Sequence, residues 1–447
     1  MLDINFIKKN STRVKEVIEQ RGIKGVNVDE LLKIYDEYLE VLKNVEKLRN
    51  LRNEISSKIP ALSDSAEKKD LIFKASSLKE ELSLSEKEMN ELKKKIDEFL
   101  PFIPNIVSEE MPIGKDEHDN VIVKVWNPGE GYVNIDKPVK YDGISYAPKT
   151  DFPYKDHVDL GEKLDIIDVR QSGKVSGSRF CYLKNEAVII QDAISSLLKE
   201  ELLKRGFTPM IPPLLVKERS LFGTSHFPEG RSQVYEIKNE NVEEGEALFL
   251  VGSSEPSNFS YFMDKVLKEE ELPVKIYAQT TCFRSEVGSW GKDVRGIKRV
   301  HQFDKLEMNA VCTENQERKI FDEFLEINEW LFQLLEIPYR IVNKCTGDCG
   351  YSATYFQHDV EVWRPADREY MEAGTDTMTT DYQARRLNIK YKSEDGLKFA
   401  RTVNDTGVAF GRAIIALLEN HQEENGSVII PQALQKYTGF EKILPKK

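Results

Sequence analysis

Along residues 28–59 apolar side chains recur at Leu31, Tyr35, Tyr38, Leu42, Val45 and Leu48, then at Leu51, Ile55 and Ile59, with no internal proline or glycine. Alternating steps of four and three mark a coiled-coil seam, and the shorter step after Leu48 predicts a local irregularity in it. Pro60 stops this helix, and Asp64 or Ser65 stands where the next one needs an N-cap. A second run, Leu71, Ala75, Leu78, Leu82, Ser85, Met89, Leu92 and Ile96, keeps the heptad with one polar position, Ser85, until Pro101 and Pro104 end it. Two helices of about 32 residues joined by a short turn must run antiparallel, and at about 1.5 Å per residue each spans roughly 45–50 Å. That exceeds the width of most domains, so residues 28–100 are expected to form a projecting coiled-coil arm.

Past Pro104 the period changes. Short β-rich runs follow at VIVKVW, AVIIQDAI, ALFLVG, KIYAQTTCF, IKRVHQFDKLEMNAV, HDVEVW and LNIKYK, with helical runs near 186–205, 257–270, 315–335 and 408–422. Strands succeed one another without regular βαβ alternation, and no GxGxxG or GxxxxGK[ST] opens a helix, which disfavours a doubly wound sheet or a P-loop. The predicted class is α+β: an N-terminal helical domain in residues 1–104, then an antiparallel sheet flanked by helices in residues 105–447.

The 447 residues include 76 acidic and 64 basic side chains, and the net charge of −12 argues against a histone-like polyanion binder. Where the cations sit matters more than their sum. Between residues 41 and 79 nine basic side chains, among them Arg49, Arg52 and Lys58, stand against five acids. The distal half of the arm is therefore positive, which suits a phosphate backbone read by shape and charge; a dimerisation coiled coil or a passive spacer is the plainer alternative. No apolar run approaches the roughly 18 residues of a membrane span, and MLDINFIKKN lacks the order of a secretory signal. Five cysteines, an odd number over so long a chain, fit a reducing compartment better than a disulfide scaffold. A soluble, cytoplasmic protein with no membrane partner is expected.

Candidate chemistry concentrates in two segments. In TCFRSEVGSWGKDVRGIKRVHQFDKLE, residues 281–307, a strand is predicted to carry Arg284 and Glu286 on one face. A basic, glycine-containing loop follows (Gly288, Gly291, Lys292, Arg295, Gly296), then a returning strand with Val300, Phe303 and Glu307. An arginine on a strand is ordinarily a surface ion pair, and Glu307 could simply pair with Lys305 or Arg299. Yet a cation for phosphate, a carboxylate for an amino group and a ring to stack are together what a nucleotide needs. In NDTGVAFGRAIIALLENHQ, residues 404–422, Gly407 and Gly411 permit close backbone approach, and Arg412 falls in the first turn of a helix. The helix dipole disfavours a cation there unless an anion compensates. Two separated arginines converging on a polyphosphate would position and stabilise attack at phosphorus. Cys345 and Cys349 have no second cysteine pair or histidine at ligand spacing, so zinc is not expected.

These segments stand in order with MLDINFIKKN, LPFIPNIV, HVDLGEKLDIIDVRQSGKVSGSRFCYL, GFTPMIPPLLV, CTGDCGYSA, DVEVWRP and DYQARRLNIKYK. Over nearly its whole length the chain resembles the seryl-tRNA synthetases of ordinary bacterial and eukaryotic type, which are class II aminoacyl-tRNA synthetases. The resemblance implies a ligase that uses ATP and Mg2+ to make seryl-adenylate and passes serine to tRNA(Ser), and by family to tRNA(Sec). Residues 206–216 would be motif 1 at a homodimer interface, with Pro212 and Pro213 near its end; 281–307 would be motif 2 and 404–422 motif 3. Arg284 would hold the α-phosphate and the reacting carboxylate, Glu286 the adenine amino group, and Arg412 the γ-phosphate. Phe303 would stack on the adenine with Val300 beside it. Ser285, Ala373 and Gly374 complete the implied ATP contacts, and Glu372 and Thr375 stand at the Mg2+ and phosphate positions. The serine amino group would meet Ser253, Ser254 and Glu255; its hydroxyl would meet Glu307 and Thr406, with Asn404 alongside. Such buried partners select a small polar side chain because alanine would leave them unpaired. The arm would reach the long variable arm of a tRNA on the partner subunit.

Where the family commonly reads Glu-Ile-Ser-Ser-Cys-Ser-Asn-Phe, residues 372–379 read Glu-Ala-Gly-Thr-Asp-Thr-Met-Thr. Thr375 keeps a hydroxyl, whereas Asp376 and Met378 replace a thiol and an amide beside the implied amino-acid pocket. Trp290 occupies a loop position where small residues are usual, either packing the loop or stacking on the acceptor end of tRNA. The alternatives to a serine ligase are a synthetase with shifted amino-acid preference, a paralogue delivering its adenylate to a non-tRNA acceptor, and a non-catalytic RNA-binding or regulatory paralogue. The arm and the intact Arg284, Glu286, Glu372 and Arg412 weigh against the last two.

Overall fold

The computed structural model describes residues 1–61, 66–135, 139–141, 146–149, 151–238, 247–287 and 295–446. The expected caps Asp64 and Ser65, and Gly288, Trp290, Gly291 and Lys292 of the basic loop, lie outside the described residues. The chain divides into two compact units, Met1–Glu19 with Ile23–Pro104 and Gln20–Gly22 with Asn105–Lys447.

Short helices α1 (Ile4–Lys9) and α2 (Ser11–Gln20) precede two long ones, α3 (Val28–Lys58) and α4 (Ala66–Phe99). Asn27 starts α3 by accepting from the N–H groups of Asp29 and Glu30, donors that the helix itself cannot satisfy. The long helices pack through Val45 and Leu48 of α3 and Leu82 of α4, with Val41, Leu78 and Met89 around them. The polar position in the second heptad has a polar partner, since Asn44 Nδ2 donates to Ser85 Oγ at 3.3 Å.

Leu51 does not join this seam. It is 41% exposed, while Arg52 and Ile55 are half-buried. The seam therefore runs through 45, 48, 52, 55 and 59 in unbroken steps of three and four, and the irregularity expected after Leu48 is absent. Arg52 thus takes a seam position where a leucine would ordinarily sit.

In the second unit a ten-stranded sheet includes β1 (Val121–Asn127), β2 (Thr208–Met210), β3 (Val274–Phe283), β4 (Gln302–Cys312), β5 (Tyr339–Asn343), β6 (Phe356–Arg364), β7 (Glu369–Met378) and β8 (Arg401–Ala409). Their spatial order is β1-β5-β6-β7-β8-β4-β3-β2. The pairings are antiparallel except that of β2 with β3, which is parallel. The principal helices are α5 (Glu186–Lys204), α6 (Glu255–Ser260), α7 (Glu314–Leu334), α8 (Tyr382–Leu387) and α9 (Phe410–Asn420), and α7 and α9 pack on strands of this sheet. The antiparallel α+β class is thus the observed one.

Three expected elements differ. AVIIQDAI, named among the β-rich runs but also covered by the helical run expected near 186–205, belongs to α5, where Ala187, Ile190, Ala193, Ile194, Leu197 and Leu198 are buried at steps of three and four; its apolar run is the buried side of a helix. The helix expected over 257–270 is only α6, followed by the short strand Val266–Lys268. Residues 297–301 precede β4 instead of belonging to it.

Strand β4 lies between β3 and β8 and is buried continuously from Lys305 to Cys312. Its register with β8 shifts between Leu306 and Met308, and that of β6 with β7 shifts between Val360 and Glu361. Such bulges re-aim side chains beside functional sites; here they fall at Thr406 and Gly407 of β8, opposite Glu307, and at Ala373 of β7, beside Glu372. Among the described residues no helix is long and apolar enough to cross a membrane.

Candidate active site

Strand β3 ends at Phe283, so Arg284 and Glu286 lie just beyond it and do not share a strand face as the sequence suggested. The Arg284 N–H still donates to His301 O at 2.9 Å, which holds the two limbs of the hairpin together. Glu286 has a φ of 49°, a left-handed conformation that costs a non-glycine residue about 1–3 kcal/mol. Its surroundings hold it there: Arg179 Nη1 donates to its carbonyl at 2.9 Å, and Arg299 Nε lies 2.9 Å from its carboxylate. The Arg284 guanidinium stacks over the Phe303 ring at 5.4 Å, and its Nε donates to Gly252 O at 3.2 Å.

Arg412 sits in the first turn of α9, and its compensating anion is Glu372. Arg412 Nη1 donates to the Glu372 carbonyl at 2.8 Å and meets its carboxylate at 3.0 Å. Burial acts to raise the Glu372 carboxyl, but Arg412 and then Arg284 outweigh it and hold the group below its ordinary value. Thr375 Oγ1 donates to the same carboxylate at 3.4 Å. Arg284, Glu286, Val300, Phe303, Glu372, Ala373 and Arg412 all line one hollow of about 550 Å³, so both arginines face one space.

A second, more polar hollow of about 850 Å³ shares Arg284, Lys305, Glu372 and Thr406 with the first. Ser253 Oγ donates to Glu307 Oε2 at 2.8 Å, and Lys305 Nζ reaches Ser253 Oγ at 3.1 Å and Thr406 Oγ1 at 3.3 Å. Lys305 and Glu307 form a buried ion pair. Pairing makes their burial tolerable, and removing one partner would strand the other charge. Glu255, at the start of α6, accepts from Gln383 Nε2 at 2.7 Å; burial, then the neighbouring Glu307, pushes its carboxyl up to about 8. His226, whose Nδ1 lies 2.9 Å from Thr224 Oγ1, also faces this hollow. Burial, then Arg284 and Lys305, lower its pKa to about 3, so the ring is neutral near pH 7.

Of the residues named from sequence, Ser253, Glu255, Glu307, Thr375, Asn404 and Thr406 line this second hollow. Three others turn away from both. Ser254 Oγ accepts from Asn258, Ser285 Oγ donates to Ser232 O at 2.6 Å, and a side chain on Gly374 would collide with Asn328. Lys305 was missed except as an ion-pair partner, although the alternation Phe303, Lys305, Glu307 puts it on the same face. Thr224, His226, Tyr351, Thr377 and Gln383 were not named as site residues, although Tyr351, Thr377 and Gln383 lie in stretches the sequence singled out; the fold brings the five in from four separate segments. The thiols of Cys345 and Cys349 donate to the carbonyls of Asp116 and Thr346.

Similarity to known proteins agrees with this geometry. Residues 1–107 match the seryl-tRNA synthetase N-terminal domain, and residues 235–421 match the class II tRNA synthetase core domain of the G, H, P, S and T enzymes. The chain is 38% identical to the serine–tRNA ligase of Pyrococcus horikoshii over 458 residues, covering 100% of this chain and 98% of that one. It superposes on the crystal structure of seryl-tRNA synthetase from Pyrococcus horikoshii complexed with ATP with a TM-score of 0.89, at 36% identity and 100% coverage of both chains. The cytoplasmic serine-tRNA ligase of Naegleria fowleri in complex with AMP gives a TM-score of 0.85 at 28% identity, covering 100% of this chain and 99% of that one. Matched at both ends and along its whole length, the chain belongs to the serine–tRNA ligase family, the seryl members of the class II aminoacyl-tRNA synthetases.

Proposed function

We propose that this chain activates L-serine with ATP and transfers it to tRNA(Ser). The observation that carries the reading is the pair of joined hollows: a cationic one walled by Arg284 and Arg412, opening beside a polar one closed by Glu307 and Glu255. In the first step a serine carboxylate oxygen attacks the α-phosphorus, an O–P bond forms, and pyrophosphate leaves. Arg284 holds the carboxylate against the α-phosphate, and Arg412 exchanges Glu372 for the γ-phosphate. The carboxylate is already nucleophilic, so alignment and charge stabilisation suffice. Glu286 reads the adenine amino group, while Phe303 stacks on the ring once Arg284 turns to the phosphates. Glu255 accepts the serine ammonium; Glu307, held by Lys305 and Ser253, and Thr406 meet the hydroxyl. Glu372 and Thr375 offer hard oxygen donors of the kind Mg2+ takes, and such an ion would screen the phosphate charge. In the second step the terminal ribose hydroxyl of tRNA attacks the adenylate carbonyl and AMP leaves.

The α3–α4 hairpin, with its positive distal half, would bind the long variable arm of tRNA. A homodimer fits the 99% exposed Ile211 that follows the short strand β2, and a cytoplasmic enzyme fits the cysteine usage. ATP–pyrophosphate exchange with serine, threonine, alanine and glycine side by side tests the proposal. Serine alone should support rapid exchange, and no exchange with serine would overturn it. Deleting residues 30–97 should leave exchange intact and abolish charging of tRNA(Ser).

A further inference from the structure

The segment 372–379 ends at Thr379. In this chain its hydroxyl begins a series of buried hydrogen bonds. Thr379 Oγ1 donates to Thr402 O at 2.9 Å and lies against Thr402 Oγ1. Thr402 Oγ1 donates to Gln383 Oε1 at 2.9 Å, and Gln383 Nε2 donates to Glu255 Oε1 at 2.7 Å and to Thr224 O at 3.2 Å. Thr379, Thr402, Gln383 and Glu255 are all buried, none more than 7% exposed.

The direction of this series follows from proton inventory. A threonine hydroxyl has one proton, and that of Thr402 goes to Gln383 Oε1, so the proton between the two hydroxyls is that of Thr379, shared between Thr402 O and Thr402 Oγ1. Gln383 has acceptors on one side of its amide, the Thr224 carbonyl and the Glu255 carboxyl, so its NH2 must face them and its oxygen must face Thr402. Along Thr379, Thr402 and Gln383 one donor of each residue therefore points toward Glu255, with side branches to Thr402 O and Thr224 O. One carboxyl oxygen of Glu255 is fixed by this bond, leaving the other for a ligand in the hollow.

We propose that Thr379, Thr402 and Gln383 form a one-way hydrogen-bond relay that positions the Glu255 carboxylate for the ammonium of the amino-acid substrate. The relay rests on the reading of Glu255 as the ammonium acceptor. All three relay members are positioning residues; Thr379 and Gln383 also line the hollow, whereas Thr402 reaches it only through Gln383 and Glu255.

The test is ATP–pyrophosphate exchange by the full-length enzyme, with KM for serine, KM for ATP and kcat measured separately. Thr379→Val keeps the shape and removes the donor. It should raise the serine KM about three- to tenfold, the worth of one buried hydrogen bond, with kcat and the ATP KM within about twofold. Thr379→Ser should restore the parent value. Thr402 lies outside the wall of the hollow, so Thr402→Val should reproduce the effect without touching a ligand. The double variant should be no worse than the stronger single one, because both break the same series. Should Thr379→Val fail to fold, Thr402→Val and its serine counterpart make the same comparison. An unchanged serine KM, additive effects, or a parallel fall in kcat and ATP affinity would overturn the relay. Glu255→Gln separates the two levels: if it leaves the serine KM unchanged, the ammonium reading fails. If it raises KM while Thr379→Val does not, only the relay fails.

Discussion

The α3–α4 hairpin and strand β4 use the same side chains in opposite ways. In the hairpin, Val45, Leu48 and Leu82 are inside and the charges are outside, with pairs such as Arg49–Glu86 and Lys58–Glu54 lying in solvent. In β4, Lys305, Glu307 and Asn309 are buried polar residues on one strand face. Burial is favourable in the first case because apolar area leaves water. In the second it is tolerable only because Ser253, Thr406 and Asn258 arrive from elsewhere with matching donors and acceptors. Order in the hairpin is thus mostly local, whereas order at the site is collective.

The largest expected effect breaks the collective side. Arg284→Ala should lower kcat/KM for pyrophosphate exchange by about 10²–10³-fold or more, with the helical circular dichroism unchanged; a loss below tenfold would remove Arg284 from the chemistry. Next, Leu82→Ala opens the hairpin seam and should destabilise the first unit by about 2–3 kcal/mol in denaturant unfolding. It should weaken tRNA charging while leaving exchange at the parent rate.

A smaller effect concerns the buried face beneath the site. Asp376 and Asp405 stand opposite each other on β7 and β8, fully buried. Asn328 Nδ2 donates to Asp405 Oδ1 at 2.6 Å, whereas among the described residues neither oxygen of Asp376 has a hydrogen-bond partner. Burial, then Asp405, pushes the Asp376 carboxyl well above the usual range, and burial raises Asp405 likewise. A folded-state value above the unfolded one, about 3.9, means that the folded chain keeps a proton the unfolded chain releases. Stability therefore falls as pH rises above that unfolded value. Asp376→Asn should be more stable than the parent at pH 8, with the gap narrowing toward pH 5; an equal gap at both pH values in urea titrations would show that the carboxyl does not titrate as described. The smallest effect sharpens the hairpin register: Leu51→Gln should change stability by no more than about 0.5 kcal/mol, against a clearly larger loss for Ile55→Ala.

Both long helices were legible because a seam is written in steps of three and four that need no knowledge of distant residues. Leu51 and Arg52 show the limit of that legibility, since hydropathy alone ranks the leucine inward while the unbroken heptad places the arginine there. AVIIQDAI shows another: eight residues are too few to tell a buried helix from a strand. At the site, Arg284, Glu286, Phe303, Glu307 and Arg412 stood out because their types and spacing suit a nucleotide. Gln383, Thr402 and His226 did not, as each is ordinary in its own segment and acquires meaning only beside Glu255 or Thr224.

By itself, then, the order of residues determined the heptad seam, the change to an antiparallel α+β region after Pro104, and which charged side chains could serve a nucleotide. Tertiary structure alone decided that Arg412 rests on Glu372, that Glu307 meets Ser253, and that Thr379 connects to Glu255 through two intermediaries. The reason is the range of the forces involved. Helical periodicity is fixed by neighbours within a turn, whereas a buried hydrogen bond or ion pair exists only when segments tens to hundreds of residues apart meet within about 3 Å.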